Sequence, residues 1–333
     1  MIPYVRSLWY MAAWAEEVPS GSFLTRKVLD QPWLIMRLED GSFTMLADRC
    51  PHRFAPLSRG RREGDSVFCG YHGLGFNALG KCVHNPFGTM MPPGAKVATY
   101  PILERHSALW FWPGDKEKAD PELIPDFSFV EGPAVHQRAH LTMQANYELV
   151  TDNLMDLSHA EFLHDKTFGV NGALFVGRHA VRVDDTGAVW NNWDMDASTP
   201  PDWAKLLLAG DEKVDQWLHM RWHAPASMAL FIGMAHSNSE RTRLVVPPMC
   251  NPHIITPETS RSSHYFYTSE PGEEAAELAR RVFVEEDEPM LEAVQEALGD
   301  GDLWSANPVS LPSDAGAIRA RRELMKLRGL EVD

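Results

Sequence analysis

Two short loops that each pair a cysteine with a histidine constrain this chain more than any other feature. The first loop has the pattern Cys50-x-His52, the second has Cys69-x-x-His72, and residues 53–68 lie between them. A Rieske [2Fe–2S] cluster needs such a set, because two thiolates bind one iron and two imidazoles bind the other. Neutral imidazole ligands raise the reduction potential above that of an all-cysteine cluster. The pattern therefore predicts a one-electron relay, and a relay needs an acceptor.

A structural zinc site is the alternative, because zinc also binds cysteine and histidine in sets of four. Zinc sites usually open with two cysteines separated by a few residues, whereas each loop here mixes one cysteine with one histidine. Pro51, Gly70 and Gly73 allow tight turns around a bulky cluster. The spacing therefore favours the cluster over zinc.

The length and net charge of the chain limit the number of its domains and the kinds of partner it can bind. Its 333 residues suffice for two domains with cores of their own, and its net charge of −15 argues against nucleic acid and anionic membrane as partners. No apolar run approaches the roughly eighteen residues that a membrane-spanning helix needs. The apolar stretch Ser7–Ala15 is followed by Glu16 and Glu17, without a basic leader or a cleavage site. We therefore expect no signal peptide and no membrane segment.

Cysteine usage indicates the compartment. The chain has four cysteines, and Cys82 and Cys250 remain after two are assigned to the cluster. Two cysteines so far apart in sequence do not form a disulfide framework. We therefore expect the protein in the reducing cytoplasm.

Two domains are expected, at residues 1–118 and 119–333, because the sequence character changes at the Pro- and Gly-containing stretch Pro113–Asp126. The first part is predicted to be β-rich, with short strands between turns. In the second part, strands and helices occur in blocks, which favours an α+β fold over a doubly wound sheet. The predicted strands are Trp33–Arg37, Phe43–Ala47, Ala108–Trp112, Ser227–Ala235 and His264–Thr268, and the predicted helices are Asn146–Glu161 with Asn146 as N-cap, Gly272–Leu298, and Ala315–Leu327 capped by Ser313 or Asp314.

The segment Asn146–His164 supplies a candidate electron acceptor. On a helix, Asp156 and His159 share a face, so the carboxylate is predicted to hydrogen-bond the imidazole and fix its tautomer. His164 lies five residues after His159, and the two rings meet at one metal only if the helix distorts or ends between them. Two histidines and one carboxylate with open positions opposite are the ligands of non-haem Fe(II) oxygenases. The acidic run Glu285–Glu288 is the best source of the carboxylate.

Each of these features also has an ordinary structural interpretation. A histidine on an amphipathic helix is usually a surface residue or a satisfied core residue, and an acidic run is usually a solvated helix face. The cluster loops in the same chain favour the metal-site interpretation, because a cluster has to pass its electrons to an acceptor.

The chain resembles the oxygenase components of the Rieske non-haem iron oxygenases over nearly its whole length. The two most specific stretches are CPHRFAPLSRG…CGYHGLGF at 50–76 and NYELVTDNLMDLSHAEFLH at 146–164. Within the family it is most similar to the single-subunit type that includes vanillate and dicamba O-demethylases. The stretches SLWYMAAW at 7–14, WPGD at 112–115 and ITPET at 255–259 also resemble that branch. The resemblance implies an all-β Rieske domain followed by a catalytic domain with an antiparallel sheet flanked by helices.

The resemblance implies a role for each matched residue. The cluster would be bound by Cys50, His52, Cys69 and His72, and a mononuclear Fe(II) by His159, His164 and Asp287. Asp156 would link His159 to a cluster histidine of the neighbouring subunit in a C3 homotrimer, with Asn153 as the other candidate catalytic residue. Pro289 lies two residues after Asp287, where a proline would kink or restart a helix. Glu286 is therefore the alternative carboxylate ligand.

The resemblance also implies an activity. A reductase, alone or with a ferredoxin, would pass electrons from NAD(P)H to the cluster and on to the iron, where O2 oxidises an aromatic substrate. A methoxyarene such as a methoxybenzoate would lose its methyl group as formaldehyde. A ring-hydroxylating or N-demethylating oxygenase is the alternative within the family. A Rieske electron carrier is the alternative outside it, and the long segment with His159 and His164 argues against that.

The sequence also offers candidates for substrate and partner contacts. By their position in the resemblance, Leu230, Ile232 and Met234 would line the substrate pocket, although their alternation equally suits a core strand. His236 or His253 would supply a polar contact, and His253 is a candidate anchor for a carboxylate or phenol. A group of arginines between the cluster loops is either a docking surface for an acidic redox partner or a solvated loop. These arginines are Arg53, Arg59, Arg61 and Arg62.

Overall fold

The computed structural model describes residues 4–131 and 137–330, which divide into two compact units. One unit contains Tyr4–Asp126 and the short segment Thr256–Ser260. The other begins at Phe127 and contains the rest of the described chain. No helix in these described ranges combines the length and the apolar character needed to cross a membrane.

The N-terminal unit is built from short antiparallel strands in three sheets, with the orders β1-β11-β10, β2-β3-β4-β9 and β5-β6-β7-β8. The strands are β1 (Tyr10–Trp14), β2 (Phe23–Val28), β3 (Gln31–Arg37), β4 (Phe43–Ala47), β5 (Arg61–Glu63), β6 (Ser66–Phe68), β7 (Gly75–Asn77), β8 (Cys82–His84), β9 (Thr99–Tyr100), β10 (Ile102–Arg105) and β11 (Ala108–Phe111). Single-turn 3₁₀ helices occur at Ala15–Glu17, Leu57–Arg59, Lys116–Lys118 and Pro121–Leu123.

Strand β3 separates two apolar clusters in this unit. Successive side chains of a strand point to opposite faces. Trp33 and Ile35 therefore pack into one cluster with β1 and β11, while Leu34 packs into the other. The second cluster also contains the side chains of Cys50 and Cys69. The loops that carry these cysteines thus rest on a close-packed core.

The C-terminal unit is built on an antiparallel sheet whose strand order over the described residues is β12-β18-β17-β16-β15-β14-β13. Its strands are β12 (Gln137–Met143), β13 (Arg178–Val183), β14 (Val189–Ser198), β15 (Val214–His223), β16 (Ser227–His236), β17 (Leu244–Pro257) and β18 (Ser263–Ser269). Its α-helices are α1 (Tyr147–Met155), α2 (Ala173–Val176), α3 (Glu273–Arg280), α4 (Glu288–Leu298) and α5 (Ala315–Leu330). A π-helix at Arg281–Asp287 joins α3 to α4, and 3₁₀ helices occur at Ser128–Val130, Leu157–Glu161, Asp202–Leu207 and Pro312–Asp314.

The α+β class is confirmed, but the predicted helix Gly272–Leu298 is divided by the π-helix, and other predicted elements differ at their ends. Asn146 caps α1 as predicted, because its side-chain oxygen accepts the N–H of Glu148 at 2.8 Å. The helix ends at Met155, however, six residues before the predicted end at Glu161. Asp314, a candidate cap of α5, accepts the backbone N–H of Leu311 at 2.6 Å and closes the preceding 3₁₀ helix.

Helix α5 is tied to α1 by a buried ion network. The guanidinium of Arg321, which is 4% exposed, donates twice to Asp152 at 2.6 and 2.8 Å and once to Glu148 at 2.9 Å. Arg328 also donates to Glu148 and, at 2.6 Å, to the hydroxyl of Tyr147. Burial alone would lower the pKa of Arg321, but the charge and hydrogen bonds of Asp152 outweigh burial and hold it above its ordinary value. The network fixes the helix that leads into the predicted acceptor segment.

We predict that Arg321→Met destabilises this unit by about 3–5 kcal/mol, because it leaves a buried carboxylate without its partner. The thermal midpoint should fall by roughly 10 °C, measured by differential scanning calorimetry. The control is Arg322→Met, which removes an exposed guanidinium from the next position of the same helix. Equal midpoints for Arg321→Met and the control would contradict the role of the network.

Candidate metal centres

The two cysteine–histidine loops share one backbone hydrogen-bond pattern. In each loop the cysteine N–H donates to the carbonyl five residues on, and the N–H four residues on donates back to the cysteine carbonyl, all at 2.9 Å. The fourth residue after each cysteine, Phe54 or Gly73, has a positive φ of 60° or 73°. Gly73 adopts this conformation without strain, and the guanidinium of Arg49 stacks over the Phe54 ring at 3.8 Å. The sequence thus builds the same turn twice.

The loops direct the thiols inward and the imidazoles outward. Cys50 and Cys69 are 1% and 2% exposed, whereas His52 is exposed and His72 is half-buried. The two imidazole rings lie side by side, with their centroids 4.6 Å apart. Two soft thiols and two imidazoles brought together in this way fit the donor set of a Rieske cluster.

The pKa shifts of two side chains in these loops bear on whether they can bind a cluster. Burial, and to a smaller extent the adjacent Cys69 thiol, raises the pKa of Cys50 above its ordinary value. A bound metal reverses this, because coordination deprotonates a thiol. Desolvation, together with the charges of His52 and Arg53, lowers the pKa of His72. The ring is therefore neutral at neutral pH, as a metal ligand must be.

A close backbone approach holds the second loop against the first. A Cβ atom on Gly60 would lie 1.9 Å from the carbonyl oxygen of Phe68, and a Cβ atom on Gly70 would lie 2.6 Å from that of Arg59. Both distances are shorter than any allowed contact, so the two backbones pack through glycine alone.

The second candidate centre begins where α1 ends. Asp156 leaves the helical conformation, with φ −110° and ψ 86°, and its carboxylate accepts the N–H of Ser158 at 3.1 Å. This cap starts the 3₁₀ helix Leu157–Glu161, which carries His159. The chain then turns through His164. The α-helix therefore ends at Met155, before both histidines, and it is the 3₁₀ helix that ends between them, at Glu161.

Three side chains converge at this point. The Nε2 atoms of His159 and His164 are 3.2 Å apart, and Oδ1 of Asp287 lies 3.3 Å from His164 Nε2 and 3.8 Å from His159 Nε2. Two ligands about 2.1 Å from one ion and at right angles to each other lie about 3.0 Å apart. The ligand atoms of the three residues all lie within 4.8 Å of one another. The group, called the triad below, therefore fits one face of a metal ion.

A change of helical register brings Asp287 into the triad. The residues Arg281–Asp287 form a π-helix, in which the N–H of Glu288 donates to the carbonyl of Phe283. Such wide turns are rare and occur frequently at functional sites. Pro289 then lies in the first turn of α4, where its missing N–H costs little. Proline therefore marks a change of register and does not displace Asp287 from the site.

The surroundings of the triad favour positive charge at one histidine and not at the other. Burial lowers the pKa of His159. Burial opposes a proton on His164 as well, but hydrogen bonds and charge from Asp287 and Glu286 outweigh it and raise the pKa of His164. Two carboxylates that favour a proton at this position also favour a metal cation there.

The two remaining candidate catalytic residues lie beside the triad. Asn153 donates its side-chain N–H to Oδ1 of Asp287 at 3.2 Å. The predicted contact between the Asp156 carboxylate and His159 is replaced by another one, because Nδ1 of His159 contacts the backbone carbonyl of Asp156. The carboxylate is instead engaged with Ser158, by its N–H at 3.1 Å and its hydroxyl at 2.6 Å. Asn153, Asp156 and His159 all line one cavity of about 290 Å³.

Comparisons with known proteins cover both parts of the chain. Residues 8–101 match the Rieske [2Fe-2S] domain, and residues 143–329 match the vanillate O-demethylase oxygenase C-terminal domain. The dicamba O-demethylase oxygenase component of Stenotrophomonas maltophilia is 35% identical, with 99% of each chain covered. The chloroacetanilide N-alkylformylase oxygenase component of Rhizorhabdus wittichii is 33% identical, over 96% of this chain and 94% of the relative. A crystal structure of dicamba monooxygenase with non-haem iron and dicamba has a TM-score of 0.81 and 35% identity, over 99% of this chain and 98% of that one.

The chain belongs to the Rieske non-haem iron oxygenases. It is an enzyme whose cofactors are a Rieske [2Fe–2S] cluster and a mononuclear iron. Both donor sets described above fit these groups. The zinc alternative for the first centre is therefore wrong, and so is the alternative of a Rieske electron carrier.

One face of the oxygenase sheet points toward the triad. His253 lies opposite Met228 in the β16–β17 register, and alternate residues of β16 place Leu230 and Ile232 on the same face. The ring of His253 is 5.8 Å from that of Phe283, which belongs to the π-helix that carries Asp287. Leu230 and Ile232 are half-buried. The predicted pocket residues thus share a face with a buried histidine near the triad.

His236 and Met234 do not belong to this arrangement. His236 lies about 26 Å along β16 from the partner of His253, at about 3.3 Å per residue. Its ring contacts the carboxylate of Glu212 at 2.5 Å. Met234 is flanked by register shifts and packs with Ala204 and Val214 in a separate apolar cluster. Strand alternation alone did not reveal these irregularities.

The arginine group between the cluster loops is smaller than predicted. Arg62 is not part of an exposed patch, because its side chain is 7% exposed and donates to three backbone carbonyls at 2.5–2.8 Å. Arg61 pairs with Glu63 at 2.6 Å. Arg53 and Arg59 remain as exposed cations.

Sequence reasoning missed several residues that support the two centres. Asp48 is buried and accepts the N–H and hydroxyl of Ser58 at 2.7 and 2.6 Å, which braces the first cluster loop. Tyr265 contacts Nδ1 of His253 at 2.5 Å, and Thr167 contacts Glu286 at 2.7 Å. Tyr265 lies inside a predicted strand, where an aromatic residue is ordinary. Only the position of Thr167, three residues after His164, was a signal that could have been used.

We predict that Gly70→Ala lowers cluster occupancy severalfold, because its Cβ atom would meet the carbonyl oxygen of Arg59. Visible absorbance and iron content of the purified protein measure the occupancy. Gly88→Ala is the control, because its Cβ atom would meet only an ordinary contact at 3.8 Å. Full occupancy in Gly70→Ala would show that the close approach of the loops is not required.

Proposed function

We propose that this oxygenase is the terminal component of an aromatic O-demethylase. The reaction consumes a methoxyarene, O2, two electrons and two protons, and it yields a phenol, formaldehyde and water. The observation that carries the proposal is the triad of His159, His164 and Asp287 in one chain with a cysteine–histidine cluster site. The similarity of the whole chain to a dicamba O-demethylase oxygenase component supports this choice of reaction.

In this proposal, Cys50, His52, Cys69 and His72 bind the cluster, and the triad binds the mononuclear iron. When bound, these groups supply electron transfer and O2 activation. The protein contributes a buried, mixed nitrogen and oxygen donor set on one side of the metal position. Asn153 holds the orientation of Asp287 through its 3.2 Å hydrogen bond.

His253 orients the substrate. Burial lowers its pKa to about 4, so the ring is neutral at pH 7. Burial also raises the pKa of Tyr265 well above its ordinary value, and the Tyr265 hydroxyl contacts Nδ1 of His253. Nε2 of His253 is buried and has no hydrogen-bond partner within the described ranges. A buried polar atom of this kind suits a carboxylate or phenolic oxygen of an aromatic ring that packs on Leu230 and Ile232.

We further propose that the oxygenase functions as a head-to-tail homotrimer, in which the cluster of one subunit donates electrons at Asp156 of the next. The cavity lined by Asp156 and His159 supports this arrangement, because Val309 and Met290 at its edge are 89% and 52% exposed. Large exposed apolar side chains are suited to covering by another protein surface. Asp156 would then lie between a partner histidine and the backbone that holds His159.

The electrons would come from NAD(P)H through a reductase, alone or with a ferredoxin. The names of the relatives as oxygenase components support a separate electron donor. Arg53 and Arg59 are exposed near the cluster loops and suit an acidic partner. We place this system in the cytoplasm, because Cys50 and Cys69 serve the cluster, and the remaining two of the four cysteines are too few for a disulfide framework.

N-dealkylation is the second candidate. The relative from Rhizorhabdus wittichii that is 33% identical to this chain is a chloroacetanilide N-alkylformylase component. The two reactions share oxidation of a carbon bound to a heteroatom, so the shape of the pocket decides between them.

Formaldehyde release coupled to O2 uptake tests the reaction. The iron-loaded protein is given a surrogate reductase, NADH, and panels of methoxybenzoates, methoxyphenols and N-alkyl anilides. We expect one formaldehyde and one phenol per O2 with a methoxyarene, and no product from Asp287→Asn, which removes a triad ligand but leaves the cluster loops intact. Aldehyde from the anilides alone would favour N-dealkylation. Substrate-stimulated O2 uptake with hydroxylated products and no aldehyde would contradict both.

We predict that Asp156→Asn keeps both metals but slows turnover at least 100-fold. Asparagine retains an oxygen that can accept the Ser158 N–H, so the 3₁₀ helix that carries His159 should persist. Iron content and the rate of O2 uptake are measured side by side. The control is Asp165→Asn, at an exposed acid of the same segment. Turnover at the wild-type rate would exclude Asp156 from the path of the electron.

A further inference from the structure

The ring of His164 lies between two consecutive carboxylates. Its Nε2 atom faces Asp287 at 3.3 Å within the triad, and its Nδ1 atom contacts Oε2 of Glu286 at 2.7 Å. Glu286 and Asp287, which are neighbours in the π-helix, therefore face opposite edges of the His164 imidazole. Glu286 does not belong to the group of ligand atoms that lie within 4.8 Å of one another.

Glu286 is itself held by two segments. The hydroxyl of Thr167, three residues after His164, donates to the same Oε2 atom at 2.7 Å. The guanidinium of Arg281, one turn earlier, lies 3.7 Å from the other carboxylate oxygen. The Glu286 side chain is 16% exposed. These contacts leave the carboxylate little freedom to turn toward the triad.

A carboxylate at Nδ1 determines the tautomer of the ring. An ionised carboxylate only accepts hydrogen bonds, so the imidazole proton resides on Nδ1 and the lone pair on Nε2 points into the triad. Such a contact also raises the basicity of a ligating histidine. His159 lacks this support, because its Nδ1 atom contacts only the neutral backbone carbonyl of Asp156. The two histidines are therefore unequal donors.

We propose that Glu286 is a positioning residue that fixes the tautomer of His164 and strengthens it as a metal ligand, with Thr167 fixing Glu286 in turn. This inference rests on the proposed metal site. It assigns the two neighbouring carboxylates different tasks, because Asp287 binds the ion and Glu286 acts through the imidazole. Removal of Glu286 should therefore weaken metal binding without emptying the cluster site.

The test measures Co(II) affinity by equilibrium dialysis, on the full-length cluster-containing protein from which the mononuclear ion has been removed. Glu286→Ala should weaken binding 10–100-fold. Glu286→Gln should lose less, because its amide oxygen can still accept from Nδ1, and Thr167→Val should lose less than Glu286→Ala. The matched control is Glu285→Gln, whose acid pairs with Arg280 on the exposed side at 2.6 Å and should bind as wild type. The thermal midpoint and far-UV circular dichroism report on folding in every variant, and the visible absorbance reports on the cluster site.

The EPR line shape of bound Co(II) separates positioning from ligation. If Glu286 acts through His164, the Gln variant should retain the wild-type line shape, and Thr167→Val reports the same effect even if the Ala variant fails to fold. Wild-type affinity in Glu286→Ala would overturn the inference. If Glu286→Gln binds Co(II) as weakly as Glu286→Ala and its line shape is altered, the inference would be overturned in favour of Glu286 as a metal ligand. A wild-type protein that binds no Co(II) would overturn the metal site itself.

Discussion

His164 occupies its position between two carboxylates because the chain leaves α-helical register just before Asp287. In a regular helix, adjacent residues point about 100° apart, and two neighbours do not ordinarily reach the two edges of one ring. The π-helix Arg281–Asp287 allows this, and its Phe283 packs against His253 and Tyr265 on the sheet. One irregular turn thus links the triad to the face that is proposed to receive the substrate.

The two centres bring their metal-binding side chains together in different ways. The cluster loops are local structures, built twice from one hydrogen-bond pattern and joined by glycines at a close backbone approach. The triad is assembled from distant segments, so its geometry depends on long-range packing. The Arg321 network holds α1, and Asn153 on α1 reaches Asp287 at 3.2 Å. A change in either helix should therefore reach the metal position, while the cluster loops remain intact.

The sequence predicted the local features well and the irregular ones poorly. Ligand spacing identified the Rieske domain that contains Cys50 and His72, and Asn146 marked the start of α1, because such signals are local in sequence. The end of α1 at Met155 was missed, since the cap by Asp156 competes with an apolar rhythm that continues to Glu161. Pro289 was recognised as a departure, but only the structure reveals the π-helix that accommodates it. His236 was predicted beside His253 as a polar group of the pocket, but the strand register pairs His253 with Met228, far along β16 from His236.

The roles of Glu286 and Thr167 required tertiary structure, because 119 residues of chain separate the two. The same holds for the pairing of His253 with Tyr265 across neighbouring strands. Burial and neighbouring charges then determine the pKa values of the histidines. Burial keeps His253 neutral, and the neighbouring carboxylates give His164 a different electrostatic environment from His159. None of these contrasts can be obtained from residue type alone.

Anomalous diffraction at the iron absorption edge, on crystals of the iron-loaded oxygenase, would locate both metal centres in one experiment. We expect two resolved or merged iron peaks between the Cys50 and Cys69 loops and a separate single peak at the triad of His159, His164 and Asp287. We also expect that Glu286 contacts Nδ1 of His164 and not the metal. A triad without an iron peak, or an iron bound by Glu286 in place of Asp287, would contradict these expectations.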